Sequence, residues 1–165
     1  MKNIKDHQSG YVYHIKDEYF AKANDPNLMQ NKEGDYKRPT YYCLKDHKTG
    51  LLWVIPMSSR LDKYKTIHDK HIAKYGRCLI LAFGTGIWER SVFLLQNMFP
   101  ITEYYIDHIH VIGGVARAVE YPLQEEIKRK FDRIRQLRKQ GLKPVFTDID
   151  RLEKLMLSEL ENNPS

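Results

Sequence analysis

A chain of 165 residues is long enough to bury one hydrophobic core and too short for a catalytic domain beside a separate binding domain, so one domain over residues 1–165 is expected to carry everything. Its 27 Lys and Arg against 21 Asp and Glu leave a formal charge of +6, which favours a polyanionic partner through counterion release but is common in proteins without one. Cys43 and Cys78 stand in separate apolar runs without C-x-x-C spacing, which suits buried, reduced thiols better than a disulfide framework or thiolate zinc site.

Met1 to Gly10 is polar with no apolar leader, and no later run approaches the roughly 18 apolar residues of a membrane span, so a cytoplasmic protein is expected. The YVY run between Tyr11 and Phe20 predicts a first strand leading into a turn of helix or an ordered loop. Lys22 to Pro39, with Asn24, Asp25, Pro26 and Gly34, reads as a long loop, a common seat of function. TYYCL and LLWVIPM flank a Gly-containing turn from Lys45 to Gly50 and predict a β-hairpin. Ser58 or Ser59 then offers an N-cap hydroxyl to a helix running to about Tyr75, closed by Gly76. CLILAF and SVFLLQNMF predict a second hairpin about the Gly84 to Gly86 turn, and Ile106 to Ile112 another short strand.

The remainder has helical periodicity. Leu123, Ile127, Phe131, Ile134 and Leu137 recur three and four apart until Gly141, and a last helix carrying Ile149, Leu152, Met156 and Leu160 starts near Thr147, whose hydroxyl can cap it. A sheet-rich part, residues 11–115, followed by a helical part, residues 120–162, predicts an α+β fold: a curved, twisted antiparallel sheet with helices packed on one side.

The most informative stretch is IPMSSRLDKY, Ile55 to Tyr64, where an apolar strand ends in two hydroxyls and runs into a helix with basic residues in its first turns. Such a junction gathers hydroxyls, backbone N–H groups and the positive end of a helix dipole, which suits an anion. Cleaving RNA without a metal requires activation of the ribose 2′-OH, stabilisation of the phosphorane-like charge and protonation of the leaving 5′-oxygen. Ser58, Ser59, Arg60 and Lys63 can supply hydrogen bonds and positive charge, though none is an evident general base, and a serine before a helix is more often only a cap.

The segment PMSS, with lysines nearby, resembles the P-L-[ST]-S segment of ToxN/AbiQ toxins, the protein toxins of type III toxin–antitoxin systems. Gln30 and Asn31 resemble an upstream Q-N pair of that family, and LLQNMFPI, Leu94 to Ile101, resembles its later strand ending in Met-x-Pro-Ile. Taken in order, LMQNK, RPTYYCL, LLWVIPMSSR and QNMFPITEYYIDHIH resemble the CptN branch most, over roughly residues 11–115.

The resemblance implies a MazF-like twisted sheet or partial barrel with added helices. It also implies metal-independent RNA cleavage leaving 2′,3′-cyclic phosphates, inhibition by a small pseudoknotted antitoxin RNA, cyclic toxin–RNA assemblies and a role in phage defence or genome maintenance. It assigns Ser58 and Ser59 the family's hydroxyl positions on the scissile phosphate. The family's lysine two residues after the second serine is Leu61 here, which passes the positive charge to Arg60 or, one turn further, Lys63. Its active-site tyrosine position is Met29, leaving Asn31 or Arg38 as loop-borne substitutes.

Arg38 precedes Pro39, so its backbone is expected to be extended and its guanidinium can grip a phosphate bidentately, or simply face solvent. His108 and His110, two apart, share one face of a strand; they can be solvent-facing residues, acid/base or RNA-contacting groups, or, lacking a third ligand in the sequence, least readily metal ligands. No metal or other cofactor is expected. Gln96 and Asn97 should fall on opposite faces of their strand.

Lys128, Arg135, Arg138 and Lys139 form a basic ridge off the apolar stripe of their helix, fit either for an RNA backbone or for solvent, and Arg60 and Lys65 add further positive charge. Tyr41, Tyr42, Trp53, Tyr104 and Tyr105 can stack on bases only where the fold exposes them. The expectation is an endoribonuclease toxin; its rivals are a noncatalytic RNA-binding module and a protein-interaction subunit.

Overall fold

The computed structural model describes residues 7–162, apart from the side chain of residue 33; the expectation for residues 1–6 lies outside them. Nine strands and four α-helices alternate along the described chain: β1 (Val12–Ile15), α1 (Asp17–Ala23), β2 (Lys32–Glu33), β3 (Tyr36–Lys37), β4 (Thr40–Lys45), β5 (Leu52–Ser58), α2 (Leu61–Tyr75), β6 (Leu81–Gly84), β7 (Ser91–Leu94), β8 (Phe99–Ile101), β9 (Ile106–Ile109), α3 (Tyr121–Lys139) and α4 (Ile149–Asn162). The main sheet is antiparallel in the order β6-β7-β5-β4-β1-β9, with β8 also on β5, and it does not close into a barrel. The α+β expectation holds. Among the described residues no helix is long and apolar enough to cross a membrane.

β5 is the central strand, and all seven of its residues are buried. A strand buried on one face alternates; one buried on both reads as a continuous apolar run, as LWVIPM does. Trp53, Ile55 and Met57 pack with Tyr41 and Phe93 beneath Ile127, Phe131 and Ile134 of α3. Leu52 and Val54 face the other way, with Tyr13, Ile15 and Tyr42, toward Tyr19 of α1 and Leu152 and Met156 of α4. Val92 and Leu94 share that second face and receive Tyr64 of α2. Helices thus cover both faces, not one as the sequence order suggested, because α3 and α4 dock on opposite sides of β5.

The run SVFLLQNMF is one broken strand. β7 pairs with Met57 and Ser58, β8 pairs with Leu52 to Val54, and Leu95–Asn97 between them makes a 3-10 turn. The break lies opposite Pro56. Met57 donates its N–H toward β4, to Pro39 O, so the preceding N–H position points at the break, where a proline costs no ladder bond. Both Gln96 and Asn97 are consequently buried in the turn rather than set on opposite strand faces. The strand expected over Ile106 to Ile112 ends at Ile109.

Gly76 closes α2 in the left-handed conformation expected of it. Thr147 does not cap α4: its hydroxyl donates 2.6 Å to Met98 O, and Asp148 takes the cap position by accepting from Arg151 N–H. Cys43 and Cys78 are free and buried, and burial pushes the Cys43 thiol up to about 12.

Candidate functional site

Four elements converge at the end of β5. Ser58 is the last residue of that strand, paired with Val92, and is 1% exposed. Its Oγ accepts from the N–H of Arg60 at 3.1 Å and so shapes the strand-to-helix turn; neither serine caps α2, whose N-cap is Arg60 and which receives no side-chain cap bond. The physical reason is that pairing with β7 keeps Ser58 in the sheet, three residues short of the helix. The positive end of the α2 dipole still opens onto this point.

The long loop from Asn24 to Pro39 folds over the same place and is pinned throughout. Asn97 Nδ2 donates to Asn27 O at 2.8 Å, and Asn31 Nδ2 donates to Ile15 O and to Asp17, each at 2.8 Å. Arg38, 6% exposed, is not the surface arginine the sequence allowed: Nε donates to Gln30 O at 2.7 Å and Nη1 to Met57 O at 2.9 Å, tying loop to strand. Asn31 therefore acts as a loop anchor and does not line the site.

Between loop, strand and helix lies a cavity of about 320 Å³ lined by Leu28, Met29, Gln30, Lys32, Gly34, Arg38, Ser58, Arg60, Lys63 and Tyr64. Four cations border it, and no carboxylate or imidazole is among the described lining residues. That chemistry fits a phosphate or other polyanion. Ser58, Arg38, Arg60 and Lys63 of the expected set are brought together here; Ser59, next in sequence, is exposed and is not among the lining residues. Gln30, Lys32 and Tyr64 were missed as site residues. The Gln30-Asn31-Lys32 run in a Gly-containing loop was the available signal for the first two.

A larger cleft of about 690 Å³ lies elsewhere, lined by Glu18, Glu103 and Glu159 against Lys22 and Lys45. Tyr105 donates to Glu159 at 2.6 Å and Tyr104 to Glu18 at 2.9 Å. Three carboxylates make it a poor home for RNA despite its size. Of the aromatics expected to stack if exposed, only Tyr104 is open, and it borders this acidic cleft; Tyr41, Tyr42, Trp53 and Tyr105 are core.

Other expected contacts fall away from the cavity. α3 lies on the face of β5 opposite Ser58, so Lys128, Arg135, Arg138 and Lys139 cannot share the site. Arg135 pairs with Asp46 at 3.3 Å and Arg138 with Asp150 at 2.6 Å, which neutralises half of that ridge. Lys65 is two residues from Lys63 on α2, about 200° round the helix, and points to the other flank.

His108 and His110 do not line the cavity either. His14 pairs directly with His108 across β1 and β9 and shares a strand face with Val12, two residues earlier, which packs under α3, so the histidines occupy the face opposite Ser58. They meet His14 itself, a residue the sequence reading passed over: His14 Nε2 is 2.8 Å from His110 Nδ1, and the His14 and His108 rings stack at 4.6 Å. Burial first, then the neighbouring His108, His110 and Lys37, lowers the His14 pKa to about 4; burial also lowers that of His110. An unfolded chain therefore binds these protons first. Stability should be fully present above about pH 6.5 and fall by about 2–3 kcal/mol as pH drops toward 4. Urea midpoints measured across that range in EDTA check this, and His14→Leu should flatten the dependence.

No protein-family model matches the chain, and no curated protein matches its sequence. The structure superposes on that of AbiQ, a lactococcal anti-phage endoribonuclease belonging to the type-III toxin-antitoxin system. The TM-score is 0.67, over 94% of this chain and 100% of AbiQ, at 13% sequence identity. The two chains share a fold.

Proposed function

We propose that this chain is an RNA-cleaving toxin of the AbiQ kind, placed by its residue pattern with the CptN branch, and that the cavity at the end of β5 binds the scissile phosphate. The observation that carries this is the lining itself: Lys32, Arg38, Arg60 and Lys63 around Ser58, with no carboxylate among the described lining residues. The AbiQ-like fold over nearly the whole chain supports it.

In this reading Ser58 and Ser59 orient the phosphate, while Lys63 and Arg60 stabilise the charge that grows on its non-bridging oxygens. Arg38 holds the loop wall and lends its fixed charge. The ribose 2′-OH attacks the adjacent phosphorus, its proton passing to solvent, and the 5′-oxygen leaves with a proton taken from solvent, giving a 2′,3′-cyclic phosphate without a metal. Among the described lining residues there is no imidazole or carboxylate, and in this reading catalysis rests on positioning and electrostatic stabilisation. A structured, pseudoknotted antitoxin RNA occupies the same groove as the cellular or phage RNA substrates and builds a cyclic toxin–RNA assembly.

The cation field continues along α2. Lys63, Lys70 and Lys74 are exposed and, at i, i+7 and i+11, align within about 40° of one another over roughly 16 Å of helix. Lys70→Ala with Lys74→Ala should weaken RNA binding and reduce the slope of log affinity against log salt by roughly 1–2, while cleavage products keep the same ends. Salt-dependent binding of a labelled RNA checks it.

The deciding experiment is incubation of the protein, freed of nucleic acid, with mixed RNA in EDTA, followed by sequencing and chemical analysis of the ends. Discrete sites bearing 2′,3′-cyclic phosphates are expected. Intact RNA that stays bound would instead favour a noncatalytic RNA-binding module.

A further inference from the structure

The three histidines at the β1/β9 edge are not used by the phosphate cavity, and their arrangement is specific. His108 and His110 project from one face of the β9 end, and His14 projects from the same face of its antiparallel neighbour. An H-x-H pair with a third histidine on the adjoining strand gathers three imidazoles, with the His108 and His110 rings centred 4.6 and 5.0 Å from that of His14. His14 Nε2 and His110 Nδ1 are 2.8 Å apart, closed by a single shared proton.

We propose that His14, His108 and His110 form a binding site for a borderline divalent transition-metal ion such as Zn²⁺, Co²⁺ or Ni²⁺, with its fourth coordination position open to solvent.

The ion replaces the proton between His14 Nε2 and His110 Nδ1. Two nitrogens each about 2.0–2.1 Å from a tetrahedral ion stand about 3.3 Å apart, so the pair opens by roughly half an ångström. Nε2 of His108 is the third donor. The Asp107 carboxylate lies 3.4 Å from His108 Nδ1, placed to serve as an outer-shell partner that favours the tautomer with Nε2 free.

At present the His108 ring stacks on His14 with 20° between planes, and among the described residues no three ligating groups already surround a cation position. The His108 side chain is 57% exposed, so swinging it off the stack meets little resistance. Lys37 opposes the incoming charge, and Asp107 offsets it. The site lies across the sheet from Ser58 and has no part in the proposed phosphate chemistry; the ion would tie edge strand β9 to β1.

The test is titration of the EDTA-stripped, dialysed full chain with Co²⁺, read by its visible d–d absorption, with Zn²⁺ displacement and calorimetry for stoichiometry. One tetrahedral ion per chain is expected, with a Tm that rises on saturation. His14→Gln and His108→Gln should each weaken binding by roughly 100-fold or more, and His71→Gln, on α2, should leave it unchanged. His108 is exposed, so its variant keeps the test valid even if His14→Gln fails to fold. Absence of binding at micromolar ion, or binding retained in the His108 variant, overturns the proposal. RNA cleavage does not enter the readout, so failure here leaves the nuclease reading standing, and the reverse.

Discussion

Arg38→Met is expected to lower the unfolding free energy by about 2–4 kcal/mol and to take RNA cleavage with it. Methionine keeps most of the buried stem but donates nothing, so the carbonyls of Gln30 and Met57 lose donors now at 2.7 and 2.9 Å. Each acceptor deprived of its partner in a site 6% exposed costs about 1–3 kcal/mol. For a chain of 165 residues that corresponds to a Tm lower by roughly 5–15 °C. The loop wall carrying Gln30 and Lys32 then detaches from β5, and the cavity loses a fixed charge along with its shape. Calorimetry and cleavage measured well below the new Tm separate the two effects. An unchanged Tm would show that these bonds do not hold the loop; cleavage retained at low temperature would remove Arg38 from the site.

Lys63→Ala combined with Ser59→Ala should leave the fold intact and reduce cleavage by about a thousandfold or more. Both residues are exposed, and Lys63 Nζ lies 5.3 Å from the Tyr64 ring, so little native packing is lost. What is lost is charge and a hydroxyl where negative charge develops, and removal of one such donor typically costs 10²–10³ in rate. The measurement is single-turnover cleavage of a defined RNA, with circular dichroism and Tm as the control. Expression of the variant without antitoxin RNA should no longer arrest growth. Cleavage within threefold of the parent would place the chemistry elsewhere than at the end of β5.

Secondary structure was legible wherever a local pattern decides it. The β4/β5 hairpin, the 3.6-residue stripe from Leu123 to Leu137 and the Gly76 helix end depend on neighbours a few residues apart, and all three are present. Local patterns cannot say which element bonds a given polar group. Thr147 looked like a cap and instead reaches Met98; Gln96 and Asn97 looked like strand residues and instead form a turn.

For the site, the residues Ser58, Arg60 and Lys63 were readable because they adjoin in sequence and the strand-to-helix turn joins them directly. Their partners across the cavity, Gln30, Lys32 and Arg38, arrive from a loop twenty to thirty residues upstream, held by Asn97 from still further away. By itself, then, the sequence determined the basic character, the α+β element order and the hydroxyl-rich end of β5. Only the tertiary structure decided which side of the sheet each group occupies. One residue of shift along a strand reverses a side chain's face, and helix docking on both sides of β5 separates the basic ridge of α3 and the three histidines from Ser58.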